Sequence, residues 1–560
     1  MKASPKFPAL QSDSSRRTLQ FAVGAVAIGL IFWWLQFSTS AICCGDFDGY
    51  YHIKWSRILW DSIRSHRFPP AFPWLPLTTL NPKDYVDHHL LFHFLQIPFT
   101  WFHDLRLGAK IASLAFGALA VLSCYWLLVR YRIRYLLIWL IALLACSSPF
   151  LYRLNMAKAP PLAIIYLIAG IHFLFTKRYW PLLPLALVFS LTYDTFLLLF
   201  LATIIWMAVV AWTERRFEWR PLVWVTLGIT AGLVCNPYFP HNLYLLYEHL
   251  KTKFTASDFS TKVGSEWYAY DSWEFLANSL VACVAMIVGY IAFDPADRKR
   301  SHYPLFLLLF STALLIMNAR WKRFAEYWPP FAVMFSAFAV QPWLEGARST
   351  LTRLPSDVLE ELQPFLDREG GFGLAQRRER QEWARILITA VVTLLLTVAL
   401  SFNLAFTTRD IAASEPHEYY RAGAEWLRTH VPTQQIVFNT DWDDFPRLFY
   451  YDPSHYYVSG LDPTYLFDKD PDLSRLYDRI TLGKEDDPGP LIRNRFGSRY
   501  VFSDNAHDDF FAHARESGWF EIVYEDKECT IMRIRDEKLV SPEEIEVPGS
   551  DAPEDENTPP

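Results

Sequence analysis

A mainly helical fold, with a bundle of membrane-spanning helices followed by a small α/β domain outside the membrane, is what the sequence predicts, on three observations. The composition is 52% hydrophobic and 17% aromatic, more apolar than an ordinary soluble chain. The apolar residues also cluster. Through the first 406 positions they recur in segments of about 17 to 25 residues, each long enough to cross roughly 30 Å of hydrocarbon. After position 407 the pattern changes to short polar-flanked runs with helical and alternating periods.

About eleven spans follow from this pattern, beginning near Leu19, Leu107, Tyr135, Pro160, Trp180, Thr195, Pro221, Glu274, Tyr303, Trp328 and Ile386. The first follows Arg16 and Arg17, is longer than a signal-peptide core and lacks a small-residue cleavage site, which predicts an uncleaved span. With Arg16 and Arg17 on the cytoplasmic side, the basic groups Arg130/Arg132/Arg134, Lys177/Arg178, Arg215/Arg216/Arg220, Arg298/Lys299/Arg300 and Arg377 to Arg385 fall on that side too. The expected organisation is a cytoplasmic N-terminus over 1–18, a membrane domain over 19–406 and an extracytoplasmic α/β domain over 407–540. Within the membrane domain lie external loops at 38–106 and 238–273 and a cytoplasmic linker at 344–385. The external domain is expected to hold a helix over Pro416 to Val431, strands at Gln434 to Asn439 and Tyr500 to Phe502, and a hairpin over Glu521 to Arg535.

The net charge of -6 is dominated by the tail over 541–560, which holds seven acids and no base and reads as disordered. Nucleic acid is not an expected partner. The seven cysteines show no CxxC spacing, so neither a zinc motif nor a disulfide framework is expected.

Candidate chemistry begins at Gly45 to Phe68. Asp46 and Asp48 follow directly on the first span, where carboxylates are costly unless they have a partner or a task. Apolar residues at Tyr51, Trp55, Ile58, Leu59 and Ile63 then predict a helix along the membrane surface, which the two acids would either cap or carry as a site. The same loop holds Asp84, Asp87, His52, His88, His89 and His93, with His89 and His93 on one helical face. Such a set suits Mg²⁺, Mn²⁺ or Zn²⁺, or a carboxylate base, and equally an interfacial anchor. Arg153, Lys158, Arg320, Lys322 and Arg323 break the positive-inside bias. They fit a lipid phosphate or pyrophosphate, or local carboxylates such as Glu326.

The order of apolar span, DFDGYYHIKWSRIL, long external loop, further spans and external α/β domain resembles the glycosyltransferase-C superfamily, most nearly oligosaccharyltransferase catalytic subunits and related bacterial membrane glycosyltransferases. AEWLRTHVPTQQIVFNTDWDDFPRLFYY (Ala424 to Tyr451) is similar to the segment carrying the oligosaccharyltransferase WWD signature, with Asp441 where the first Trp would stand and Trp442 and Asp443 after it. KVGSEW places Glu266 where the family has an acceptor-binding glutamate. The paired acidic motif of the second external loop has no counterpart in YRLNMAKAPP (Tyr152 to Pro161).

The resemblance implies a GT-C-like bundle in a bacterial inner membrane and transfer of a sugar from a polyprenyl-phosphate donor to an acceptor on the extracytoplasmic face. Asp48 would be the catalytic base or metal ligand, with Asp46 and Asp87 assisting. Arg153, Lys158, Arg320 and Arg323 would neutralise the donor phosphate, and Glu266, Trp442 and Asp443 would recognise the acceptor. A divalent cation, Mg²⁺ or Mn²⁺, would sit on Asp48, Asp87 and His88, or be replaced by Arg153 and Lys158. Expected partners are the lipid-linked donor, membrane lipid, and a glycan, lipid or protein acceptor. Two other classes stay open: a lipid or glycan transporter or flippase, which would show internal repeats and mid-span charges, and a non-catalytic assembly protein on the same fold.

Overall fold

Uninterrupted apolar runs with capped ends build the long helices, and α4 shows how. Asp104 accepts a hydrogen bond from the Arg106 backbone N–H, 26 residues follow over Leu105–Arg130, and Arg130 closes the last turn where the helix dipole favours a cation. The coordinates are a computed structural model that describes residues 13–44, 47–255, 264–296, 301–349 and 371–539. Asp46, most of the N-terminus, the basic run at 298–300, the middle of the expected linker at 344–385 and the acidic tail lie outside the described residues.

Every expected span falls on a helix or helix pair, but they are not alike. Among the described residues six helices are long and apolar enough to cross a membrane: those at Ser15–Gln36, Leu105–Arg130, Asp194–Glu214, Ser272–Ala292, His302–Arg320 and Trp383–Ala412. The pair Leu136–Leu144 and Ser148–Asn155, bent by 76°, makes a seventh if it is one broken span. The helices Pro160–Phe175, Leu182–Thr192 and Arg220–Cys235 are shorter, and Trp328–Ser349, buried from Trp328 through Ala339, contains Pro342. The count of eleven is thus not confirmed: several of the expected spans fall on helices shorter than a bilayer crossing needs, among them Arg220–Cys235, which still exposes Val223, Leu227 and Val234. With its lipid-length helices, Trp383–Ala412 having none of its apolar window buried, the chain is an integral membrane protein.

Two compact units emerge. The first comprises residues 1–70, 86–257 and 263–417, the second 71–85, 258–262 and 418–560. In the first, α1 (Asp13–Gln36), α4, α5 (Leu136–Leu144), α6 (Ser148–Asn155) and α7 (Pro160–Phe175) share one core with the helices that follow. Close approach needs small residues: a Cβ at Gly117 of α4 would lie 2.5 Å from the Leu154 carbonyl oxygen. Cys43 and Cys44 are joined in a disulfide, a pairing of chain neighbours that the expectation of no disulfide framework did not include because spacing rules address separated cysteines.

In the second unit a five-stranded sheet has the order β2-β1-β3-β5-β4. β1 (Ile436–Asn439) pairs in parallel with β2 (Tyr456–Tyr457) and β3 (Tyr500–Asp504), and β5 (Cys529–Ile534) runs antiparallel to β3 and to β4 (Phe520–Glu525). Residues 71–85, expected in the first external loop, belong here: the Tyr457 N–H donates to the Trp74 carbonyl at 2.8 Å, and Phe72 packs on Phe445 and Phe449.

Candidate active site

All the site chemistry of the first unit is positioned by helix ends. Asp48 opens α2 (Asp48–Arg64) behind Phe47. Gly49 is needed next, since a Cβ there would lie 2.6 Å from Ile42 Cγ2 and 2.7 Å from Ala157 Cβ. That closeness brings the start of α2 against the short link between α6 and α7, which ends where Pro160 and Pro161 open α7. Asp48 Oδ2 thus meets Lys158 Nζ at 2.8 Å. The Tyr50 hydroxyl accepts from the Ile42 N–H at 3.3 Å and bonds His417 Nδ1 at 3.2 Å, anchoring the same turn. α2 is not a bare surface helix: Tyr50, Tyr51, Ile53, Trp55 and Leu59 are buried in protein.

From Lys158 the cluster continues through its neighbours. Arg153, in the last turn of α6, donates to Glu326 at 2.6 Å and to Glu266 at 2.7 Å. Arg323 donates to the other oxygen of Glu266 at 3.1 Å and to the Tyr193 hydroxyl. The two carboxylates part in acidity. Burial opposes charge on Glu266, but Arg323, Arg153 and Lys158 hold its carboxyl well below the usual range. Glu326, 1% exposed, is pushed up by burial against the pull of Arg153 and Arg323.

Behind Asp48 lies a relay of rings. Asp87 accepts from His93 Nδ1 at 2.8 Å and from Trp55 Nε1 at 2.9 Å. His93 Nε2 stands 2.8 Å from Nδ1 of His52, which sits one turn after Asp48 on the same helix face. His93 thus links Asp87 to His52, its Nδ1 toward the carboxylate and its Nε2 toward the His52 ring. Burial, then the neighbouring His93 and Lys158, lowers the His52 pKa well below its ordinary value, keeping the ring neutral. His89 is lowered in the same way by burial and His88, and its ring stacks on Tyr193 at 5.3 Å. His88 lies edge-on to His249, whose Nδ1 is 3.1 Å from Asp194.

The structure therefore brings Asp48, Lys158, Arg153, Arg323 and Glu266 together, with His88 at the margin. It does not bring Arg320, which is exposed, stands over the Trp321 ring and forms no ion pair among the described residues, because it ends its helix on the outward face. Asp87 is 2% exposed and committed to Trp55, His93 and the His89 N–H, so it faces the histidines rather than an open cavity. Glu266 sits between two arginines. For Arg153 the local-carboxylate alternative describes the contacts seen.

The expected metal set does not fit. Among the described residues no group of three His, Cys, Asp or Glu is placed to hold an ion. Asp48 faces an ammonium and Asp87 is sequestered, so no step below passes through a metal.

Sequence reasoning placed His52 and His93 in the candidate loop set as possible metal ligands or anchors rather than as supports of Asp87, and it missed Tyr193. The only signal was the density of histidines in one loop and the place of Tyr193 beside one span end. In the second unit, Trp442 and Asp443 follow β1, and Asp504 ends the parallel neighbour β3. Asp444 beside them is 2% exposed, and burial with Asp443, Asp441 and Asp504 pushes its carboxyl well above the ordinary value.

No protein-family description matches the chain, and no curated protein matches it by sequence. Solved structures do. The oligosaccharyltransferase of Archaeoglobus fulgidus, tethered to an acceptor peptide containing the NVT sequon, superposes with a TM-score of 0.55 at 11% identity over 92% of this chain and 74% of that one. The same enzyme in complex with Zn and sulfate gives 0.53 at 12% identity, covering 90% and 72%. ArnT from Cupriavidus metallidurans bound to undecaprenyl phosphate gives 0.53 at 15% identity, covering 92% and 98%. At such identities the likeness is one of fold: this chain shares the fold of that oligosaccharyltransferase and of ArnT.

Proposed function

We propose that this chain is a membrane glycosyltransferase that moves a sugar from a polyprenyl-phosphate donor to an acceptor outside the cytoplasm. One observation carries the reading: the acid that opens α2 and cations from two distant connections converge in one polar cluster at the ends of apolar helices.

In this reading Asp48 accepts the proton of the acceptor hydroxyl or amide as the acceptor atom attacks the anomeric carbon. The bond from that carbon to the phosphate oxygen breaks, and the polyprenyl phosphate leaves with the electron pair. A single displacement of this kind inverts the anomeric centre. Lys158, released from Asp48 as substrate enters, and Arg153 offer positive charge where the phosphate gains negative charge, which is where preorganised electrostatics lowers a barrier most. The buried tail of the donor leaves the protein only the headgroup to orient.

His52, fixed through His93 by Asp87, and neutral His89 line the cluster without adding charge that would compete for the phosphate. Arg323, itself held by the Tyr193 hydroxyl, and Arg153 hold Glu266 in place. Trp442 and Asp443 are assigned to acceptor recognition on resemblance, as is the extracytoplasmic position of the second unit.

The test is release of polyprenyl phosphate from a polyprenyl-phosphate sugar by purified wild type and Asp48→Asn. Loss of a general base predicts a rate lower by about 10²–10⁴. A variant that releases phosphate at the wild-type rate removes Asp48 from the chemistry.

A further inference from the structure

At the other end of the same helices lies a second polar cavity. Arg17, Thr18 and Phe21 from the first turns of α1, and Trp126, Val129, Arg130 and Arg132 at the close of α4, line a cleft of about 570 Å³. None of these lining residues is acidic. Among the described residues neither Arg130 nor Arg132 forms an ion pair. The cleft is remote from Asp48: Lys110, near the start of α4, donates to the Thr39 and Ala41 carbonyls before Asp48, and Gln36 at the far end of α1 donates to Asn155. Twenty residues of helix, about 30 Å at 1.5 Å each, separate Lys110 from Arg130.

Below the cleft the two helices leave an apolar trough. Thr18, Ala22, Ala25 and Gly29 follow one another at helical spacing on α1, all at least partly exposed, and a Cβ at Gly29 would meet nothing within 4 Å. Facing outward on α4 at matching spacing are Leu119, 48% exposed, with Leu122 and Trp126 partly exposed. Deeper in, the helices close: the Tyr125 ring stacks on Phe21, and a Cβ at Gly24 would lie 2.5 Å from it. Guanidinium groups at the water boundary, an aromatic belt residue and an apolar channel leading into the bilayer match the two ends of a phospholipid.

We propose that this cleft binds the phosphodiester headgroup of an anionic phospholipid, with one acyl chain in the trough between α1 and α4. The arginines supply the forked donors that phosphate oxygens accept, and Trp126 packs at the glycerol level. The site is independent of the sugar-transfer reading and holds whichever reaction the Asp48 cluster performs.

The test uses the purified full chain in detergent, titrated with dioleoyl phosphatidylglycerol, dioleoyl phosphatidylcholine and inorganic phosphate, and read by native mass spectrometry. Wild type should bind the glycerol lipid at least tenfold more tightly than the choline lipid. Arg130→Gln/Arg132→Gln should abolish that preference, while Arg178→Gln/Arg215→Gln, outside the cleft, should keep it. Equal binding of the two lipids, or equal loss in both variant pairs, overturns the proposal. Inorganic phosphate that displaces the lipid at low millimolar concentration would show an anion pocket without lipid recognition and also overturns it. Should the double variant not fold, wild type and Trp126→Phe are compared with brominated forms of both lipids. Extra quenching by the brominated glycerol lipid must vanish in Trp126→Phe, and its persistence refutes the placement.

Discussion

Removing Arg153 tests whether the cation cluster is sealed from water. Its guanidinium joins Glu326 at 2.6 Å and Glu266 at 2.7 Å, with side-chain exposures of 12%, 1% and 19% respectively. In Arg153→Gln, Glu266 keeps Arg323 at 3.1 Å. Glu326 has no second ion-pair partner among the described residues and is stranded, which for a buried pair costs about 3–5 kcal/mol. Proton uptake relieves part of this, because burial already raises the Glu326 carboxyl. The sign follows: a carboxyl whose folded pKa lies above its unfolded value binds more protons when folded, so the variant loses stability as pH rises above that unfolded value. The loss should therefore be larger at pH 8 than at pH 5. Arg153→Met/Glu326→Met removes both charges and should recover most of it. Denaturant unfolding in mixed micelles, followed by tryptophan fluorescence, measures each variant. A loss below about 1 kcal/mol in the single variant, or a double variant as damaged as the single, would refute the sealed-pair argument.

Further outcomes follow from particular contacts. Gly49→Ala forces α2 away from Ala157, an overpacking cost of about 1–3 kcal/mol, and should lower transfer rate more than stability by lengthening the Asp48 to Lys158 contact, as paired rate and unfolding measurements would show. His455 is buried and bonded to Asp452 at 2.5 Å and to the Val431 and Pro432 carbonyls. Burial lowers its pKa, but these partners outweigh it and raise the value. That stabilisation is complete below the unfolded histidine value, roughly 6.5, and is lost as pH rises through the folded value; hydrogen exchange over β1 and β2 should speed up in that window and His455→Gln should flatten the response. Burial and the neighbouring carboxylates push the Asp444 carboxyl well above its ordinary value, which disfavours its charged form, so Asp444→Asn should change stability by less than about 1 kcal/mol, measured as the unfolding midpoint at pH 7.

The class of fold was legible because it depends on one-dimensional quantities. Apolar run length located the long helices of the bundle but not His241–Thr255, which lies in the expected loop 238–273, and turn residues with alternation located β1, β3 and the β4–β5 hairpin. The span count was not, since apolar content alone does not say whether a run such as Leu182–Thr192 forms a helix long enough to cross a bilayer. Asp48 stood out for a local reason, a carboxylate at the end of a membrane helix. Arg153 and Lys158 stood out because they lie on the wrong side of the charge bias. Their joining into one cluster did not, because the contacts Asp48 to Lys158 and Arg153 to Glu326 span 110 and 173 positions. Those partners are chosen by how helices pack, and Gly49 and Gly117 set that packing through the absence of atoms.

Asp87 marks the boundary between the two kinds of knowledge. Its spacing in the loop is the same whether it faces substrate or supports a histidine. The burial that hands it to His93 and Trp55 comes from α2 and α3 (Leu90–Gln96) closing over it. Residue order by itself determined the membrane bundle, the α/β appendage and the carboxylate at the membrane edge, since hydropathy and charge cost act locally. Tertiary structure alone decided which cation each carboxylate meets and that a second basic cleft opens between α1 and α4, because both depend on distances between segments that the chain order leaves free.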